Sequence, residues 1–180
     1  HHIYNPSLAP RVLALLIEEF PDAKLIMVGP EKGDGSFELT QKVAQDLGVQ
    51  GRVEYLGPVP KAKVPEALQR GDIFINTTNV DNTPVSVMEA MACGLCVVTT
   101  NVGGLPYLLE DGADALLVSP DDPHAMAQAI RRLKDDANLP GLLSKNARKK
   151  VEVFDWSNVL PQWELLLMRA NQFSLEHRVD

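Results

Sequence analysis

The sequence predicts an α/β fold: a doubly wound parallel sheet flanked by helices, followed by a C-terminal helical tail. Short apolar runs alternate with helical stretches from Ala23 to Val118, and βα crossovers of that kind force neighbouring strands parallel. Beyond Pro123 only helical patterns remain. With 180 residues, 45% apolar and 23% charged, the chain suits one ordinary domain with an appendage and has enough length to bury a core.

Each element has its own signal. Leu8, Val12, Leu15, Leu16 and Phe20 recur at helical spacing across Ser7–Phe20, and Pro21-Asp22 ends that run. Lys24–Val28 is a short apolar run stopped by Gly29-Pro30, the mark of a buried parallel strand. The polar loop Glu31–Ser36 leads to a helix over Phe37–Leu47, closed by Gly48. Arg52–Leu56 alternates and stops at Gly57-Pro58, a second strand, and Lys63–Arg70 is a short helix closed by Gly71. Asp72–Ile75 is a strand, Pro84 opens a helix that ends at Gly94, and Cys96–Thr99 is the next strand. Asn101–Gly104 is a loop, Pro106 starts a helical turn, Asp111-Gly112 turns the chain, and Ala115–Val118 is the last strand. Asp121-Asp122 before Pro123 is a helix start, and helices follow over Leu139–Phe154 and Ser157 to about Gln172, with Asp155–Asn158 capping the last.

The expected organisation is one nucleotide-binding-type domain over residues 1–154 and a helical tail over 155–180. A doubly wound domain should open with a strand, whereas this chain opens with a helix. Its tail carries Trp156 and Trp163, read as packing residues that a single sheet does not require. Both features lead us to expect a piece of a larger protein.

The net charge of −7 argues against a nucleic-acid partner, because phosphate backbones need a basic face. Arg131-Arg132 and Arg148–Lys150 fall on helical patterns and read as solvated faces. No apolar run approaches the roughly 18 residues of a membrane span, and no signal peptide opens the chain. Two cysteines imply no disulfide framework. The expected setting is cytoplasmic, with peripheral docking of a parent protein at the inner membrane face as the alternative.

The most informative stretch is Asn76–Gly104. A strand enters it, a loop of small polar residues follows, and a helix begins. Thr83 reads as N-cap and Pro84 as first helical residue, which leaves the N–H groups of Val85, Ser86 and Val87 free for an anion. Asp81 and Glu89 flank this helix start with seven residues between them. Glu89 leans back toward the helix N-terminus, where a carboxylate can accept from a vicinal diol such as a ribose, and Asp81 could serve a second sugar. The competing structural reading makes Asp81 a loop acid and Glu89 a surface residue. Met88, Ala90, Met91 and Ala92 around Glu89 place much of the helix in the core, however, and a buried acid needs a partner.

This run resembles the signature of the retaining glycosyltransferases of family 4, in the C-terminal half of a GT-B enzyme. The family pattern is an acid, seven residues, Glu-Ala-Met-Ala-Cys-Gly, an apolar strand and Gly-Gly. Here these are Asp81, Glu89–Gly94, Cys96–Thr99 and Gly103-Gly104. Ala23–Gly29, Arg52–Gly57, Asp111 through Pro123 and Phe154–Ser157 are similar to further family elements in the same order, so the likeness spans Ala23 to Trp163. It implies a Rossmann-like donor-binding domain for a nucleotide-diphosphate sugar, UDP- or GDP-linked, whose sugar passes to a glycan, lipid or small-molecule acceptor. It further implies an N-terminal domain elsewhere in the polypeptide, against which the tail would pack, and no metal or other cofactor. By the same resemblance Asp81 and Glu89 are the candidate catalytic acids: Glu89 takes the ribose hydroxyls and Asp81 those of the transferred sugar. Thr78, Thr83, Pro84, Val85 and Ser86 line the donor, the Val85 and Ser86 amides receiving the diphosphate, with Gly29 and Gly57 at the strand ends.

Three departures stand beside the matches. Asp81 replaces the usual Glu, and Tyr107 fills a position where the family has Glu after Gly-Gly-x-Pro. The family's Gly-Arg-x-x-x-x-Lys-Gly segment should precede the first helix and is expected upstream of His1. Lys32-Gly33 follows the Val28-Gly29 strand and is not its equivalent. The alternatives are a non-catalytic GT-B binding or assembly module, or another GT-B enzyme such as a sugar-nucleotide epimerase. Cys93-Gly-Leu-Cys96 invites a redox reading, but a redox pair starts a helix and this one ends it, so buried structural thiols are expected. His124 reads as an exposed residue at a helix start, and the Gly-rich Glu31–Ser36 loop lacks any phosphate-loop spacing.

Overall fold

The computed structural model describes residues 1–176, with side chains described through 169. Among the described residues there are five parallel strands: β1 (Leu25–Val28), β2 (Val53–Gly57), β3 (Ile73–Asn76), β4 (Cys96–Thr100) and β5 (Leu116–Val118). The helices are α1 (Leu8–Leu16), α2 (Ser36–Asp46), α3 (Val64–Leu68), α4 (Val85–Ala92), α5 (Leu105–Leu108), α6 (Pro123–Asp135), α7 (Leu139–Val151) and α8 (Trp156–Glu176). The α/β alternation is as expected, but the strands form two sheets, β1-β2 and β3-β4-β5. β1 and β3 do not pair.

β4 is the centre of the larger sheet and is buried at all five residues. Its side chains alternate between faces, as the two-residue strand period requires. Cys96 and Val98 pack with Leu8, Val12 and Leu16 of α1 and with Met126 and Leu133 of α6. Val97 faces the other way, into Val87 and Met91 of α4, Leu105 of α5 and Val151 of α7. Covering both faces is what lets these strands read as continuous apolar runs. α1 also reaches the smaller sheet, where Leu13 packs with Leu25, Ala44, Val49 and Val53.

The helix signals are met with local adjustments. Asp122 caps α6 by accepting the Ala125 N–H at 2.9 Å, with Pro123 in the first turn. The helix expected over Leu139–Phe154 ends at Val151, and a separate 3₁₀ turn covers Glu152–Phe154. α8 begins at Trp156, and the Asp155 carboxylate accepts the Ser157 N–H at 2.8 Å and its hydroxyl at 2.5 Å. The two tryptophans depart from expectation: Trp156 is 69% and Trp163 55% exposed, so neither packs among the described residues.

One ion pair ties α7 to the turn before β5. Asp114 is buried, accepts the Glu110 N–H at 2.9 Å and meets the Lys150 ammonium. Removing one partner leaves the other charge in the interior without compensation. Lys150→Met is therefore expected to cost about 2 kcal/mol in urea unfolding. Unchanged stability would show that Asp114 needs no counter-charge.

Candidate functional site

The loop from Thr77 to Pro84 leaves the carboxyl end of β3 and delivers the chain to α4. Its backbone is held from three directions. The N-terminal segment supplies two carbonyls: that of Ile3 accepts the Asn79 N–H at 2.7 Å, and that of Tyr4 accepts the Thr77 hydroxyl at 2.8 Å. From β4, the Thr100 hydroxyl donates to the Thr78 carbonyl at 2.5 Å. From the loop before α5, the Gly104 N–H donates to the Asp81 carbonyl at 2.9 Å.

The last contact requires glycine for a steric reason. A Cβ at Gly103 would lie 1.8 Å from the Asp81 carbonyl oxygen, and one at Gly104 would lie 1.7 Å from that of Asn82. Gly103 also has a φ of +56°, which L side chains rarely adopt. The Gly-Gly pair thus clasps the backbone of the loop that carries Asp81.

Pro84, not Thr83, is the N-cap of α4, with extended backbone (φ −68°, ψ 113°) and no side-chain cap. Its carbonyl accepts the Val87 N–H at 3.1 Å. This narrows the expected set of three free amides to two. Among the described residues, the Val85 and Ser86 N–H groups have no acceptor, and both residues are exposed. Thr83 is exposed in the loop and Pro84 is buried. Thr78 departs further from its expected place along the donor. It is fully buried, and its hydroxyl lies 3.0 Å from the Val80 carbonyl and 3.3 Å from that of Ile3. Its work is to shape the loop.

Asp81, Ser86 and Glu89 line one cavity of about 1580 Å³, together with Gly29 at the end of β1. Asp81 and Glu89 are half-buried, and among the described residues neither carboxylate has an ion-pair or hydrogen-bond partner. The buried acid anticipated at Glu89 thus faces open space. Gly29 (φ +144°) donates its N–H to the Gly57 carbonyl at 3.0 Å and accepts the Tyr55 hydroxyl at 2.6 Å. Gly57 is thereby placed beside Gly29, behind the cavity wall. Lys32, which does not match the family's Lys-Gly, also lines the cavity, as do His1 and Tyr4. The bracing role of Ile3 and Tyr4 had no signal in the sequence, because their partners Thr77 and Thr78 lie more than 70 positions away.

A second cluster lies at the surface, where ligand atoms of His1, His2 and Asp34 come within 4.8 Å of one another. Asp34 is already engaged with the Ser36 hydroxyl and amide and the His2 amide, and these bonds, the Ser36 hydroxyl foremost, lower its pKa to about 2. His1 Nδ1 accepts the Ile3 N–H at 3.3 Å. The arrangement is that of a loop cap. Both cysteine thiols have raised pKa values: Cys96 through burial, and Cys93 through burial first, with Arg148 opposing and Glu89 adding to the rise. Neither has the activated character a redox pair requires.

The family described as glycosyl transferases group 1 matches residues 2–150 of the chain. The D-inositol 3-phosphate glycosyltransferase of Corynebacterium glutamicum is 28% identical over 161 residues, covering 88% of this chain and 38% of that protein. HepE of Anabaena, solved with UDP and glucose, shares the fold with a TM-score of 0.85 at 23% identity, covering 93% of this chain and 45% of that one. The C-terminal domain of a glycosyl transferase group 1 family protein from Francisella tularensis gives 0.73 at 21% identity, covering 85% of this chain and 80% of that one. The chain therefore spans well under half the length of the curated relatives it matches.

Two outcomes follow from the geometry. Gly104→Ala must push the Asp81–Asn82 backbone away, and is expected to lower stability by about 2 kcal/mol in denaturant titration. No loss of stability would mean that the two loops separate freely. Cys93 and Cys96 are expected to alkylate with iodoacetamide more slowly at pH 8 than a free cysteine. Faster labelling of Cys93 would restore the redox reading.

Proposed function

The chain belongs to the glycosyl transferases group 1 family, and from that premise we propose that it is the donor-binding domain of a retaining enzyme. The donor is a nucleotide-diphosphate sugar, UDP- or GDP-linked, and the acceptor a glycan, lipid or small molecule. The observation that carries this reading is the meeting of Asp81, Ser86 and Glu89 on one cavity at the start of α4. The Anabaena neighbour solved with UDP and glucose supports the class of donor.

Each group then has a task. The Glu89 carboxylate accepts from the vicinal hydroxyls of the ribose. The Val85 and Ser86 amides, at the positive end of the α4 dipole, receive the diphosphate. Asp81 accepts from hydroxyls of the sugar that moves, and its short side chain brings that sugar close to the loop clasped by Gly103 and Gly104. As the C1–O bond breaks, its electron pair passes to the leaving diphosphate oxygen, and the α4 N-terminus stabilises the growing charge without reorganising. Lys32 supplies positive charge on the same cavity. No helix among the described residues is long and apolar enough to cross a membrane.

The acceptor and the remaining catalytic groups belong to the rest of the polypeptide, so this domain alone is expected to bind donor weakly and transfer nothing. α8, whose Trp156, Leu160, Trp163 and Leu166 are exposed, is the face on which that other domain closes.

Calorimetric titration of UDP- and GDP-sugars tests the site. One nucleotide class should bind, and Glu89→Ala should weaken it roughly tenfold, the loss of charge-assisted bonds to the ribose. Equal binding by both forms, or no binding of any nucleotide, overturns the assignment. In the longer polypeptide the transferred sugar should keep its anomeric configuration. Absence of both transfer and donor hydrolysis would return the domain to a non-catalytic module.

A further inference from the structure

Two residues outside the candidate site share an uncommon backbone and a bond. Among the described residues, Asn5 (φ +44°) and Asp121 (φ +54°) are the non-glycine residues in the left-handed region. They lie 116 positions apart, and the Asn5 side-chain amide donates to the Asp121 carboxylate at 3.1 Å. Asparagine and aspartate tolerate that backbone better than other side chains, yet glycine adopts it with less strain. Gly48, Gly57 and Gly112 are among those that do so in this chain, so glycine would serve the backbone at both positions. What Asn5 and Asp121 add is their bond to each other.

Both ends of that bond connect to the loop that carries Asp81. Asn5 closes the 3₁₀ turn His2–Tyr4, donating its N–H to the His2 carbonyl, and its own carbonyl accepts the Leu8 N–H at 3.1 Å. Its side-chain oxygen accepts the hydroxyl of buried Ser7 at 3.3 Å. Asn5 is thereby fixed to the first turn of α1. Just ahead of it, the Ile3 and Tyr4 carbonyls take the Asn79 N–H and the Thr77 hydroxyl. Asp121 stands in the connection from β5 to α6, directly before the Asp122 cap. Three residues earlier, the Val118 carbonyl accepts the Asn101 N–H at 2.7 Å, where the loop begins whose Gly104 N–H holds the Asp81 carbonyl. The end of β5 therefore reaches two braces of the Asp81 loop, one through Asn101 and one through Asn5.

We propose that Asn5 and Asp121 are positioning residues of the candidate site. Their bond straps the turn over residues 2–4 to the β5–α6 connection, and so holds Ile3 and Tyr4 against the loop that carries Asp81. Neither Asn5 nor Asp121 lines the cavity, so both act through that loop and touch no ligand. The turn buries no side chain, which leaves bonds to hold it in place. The His2 amide bonds Asp34 at 3.1 Å on the side of the β1–α2 loop, and Asn5 bonds Asp121 on the side of β5. Without the second bond the turn can pivot on Asn5, and its two carbonyls move with it. Strained backbone persists where the surroundings over-determine it, and here the strain of two residues is kept together with the contact that their side chains make.

The strap is tested first without any ligand, by hydrogen exchange and urea unfolding. Asn5→Gly and Asp121→Gly each remove the bond and leave a residue at ease with the backbone, so the unfolding midpoint should change little. The Asn79 amide, which Ile3 accepts, should exchange about fivefold faster in either variant, the weight of one net hydrogen bond. The double variant should match the single ones, because the same bond is lost once. Asp121→Asn keeps an acceptor and tolerates the backbone, so it should exchange like the unaltered chain. Unchanged Asn79 exchange in the glycine variants overturns the proposal, and so does an additive effect in the double variant. Faster exchange throughout the core with a lower midpoint also overturns it, since the bond would then be a general stabiliser. The link to function rests on the donor reading. Whichever of the UDP- and GDP-sugars binds the unaltered chain should bind the glycine variants about threefold more weakly, and Asp121→Asn normally. Equal affinity in all forms overturns the positioning role and leaves the donor reading intact. If no form binds a nucleotide, the donor reading fails and Asn79 exchange alone decides the strap.

Discussion

The site depends on one mechanical constraint: the loop between β3 and α4 must be fixed without engaging the Asp81 carboxylate or the first amides of α4. Its bracing bonds therefore fall on other backbone groups and on the Thr77, Thr78 and Thr100 hydroxyls. The chain braces it from behind. Carbonyls of Ile3 and Tyr4 take up its N–H and hydroxyl groups, Thr100 reaches the Thr78 carbonyl, and the Gly104 N–H takes the Asp81 carbonyl. Each such bond contributes about 1 kcal/mol net. Their larger effect is geometric, because together they leave Asp81 on the cavity and the Val85 and Ser86 amides without an acceptor among the described residues.

The electrostatics of the site then follow from separation. A carboxylate beside a diphosphate is repelled, while the helix N-terminus attracts that diphosphate by only about 1 kcal/mol per nearby charge. In the proposed donor complex the two acids would stand off the anion and meet neutral hydroxyls instead. Glu89 lies one turn along α4 from Val85 and Ser86, and Asp81 lies on the loop before them, so the acids flank the amides. Lys32, on the same cavity but beyond β1, offsets part of the negative charge. Burial raises the pKa of Cys93, with Arg148 opposing and Glu89 adding a smaller rise.

Most of the fold could be read in the sequence because its signals are local. The four- or five-residue apolar runs are strands, Asp122 with Pro123 is a cap, and the buried faces of β4 alternate as its residues do. The site was legible as a motif, and the family resemblance distributed its residues among tasks that spacing alone left open. What stayed hidden was non-local or depended on a one-residue offset. Thr83 has the chemistry of an N-cap, yet Pro84 takes the position, since its extended backbone points its carbonyl at Val87. Thr78 looked available to a ligand and is locked in the interior. The reason for Gly103-Gly104 lies in the carbonyls of Asp81 and Asn82, more than twenty residues earlier. The division into two sheets is a pairing property, which no local pattern encodes.

The candidate site sits at that division. In open α/β sheets ligands bind beyond the carboxyl ends of strands, where adjacent strands send their connections to opposite faces. Here the parting falls between β1 and β3: α1 covers the gap from one face, and α3 and α4 cover it from the other. Asp81 and Glu89 stand on the β3 side of the gap and Gly29 on the β1 side. Among the described residues the candidate site is bordered by two sheets that share no hydrogen bond. α1, packing on both, is the element that holds their spacing. Its burial is correspondingly complete at Leu8 and Val12, each 1% exposed, although the helix has only nine residues. The apolar contacts of this one short helix thus set the distance between the glycine at one wall of the cavity and the acids at the other.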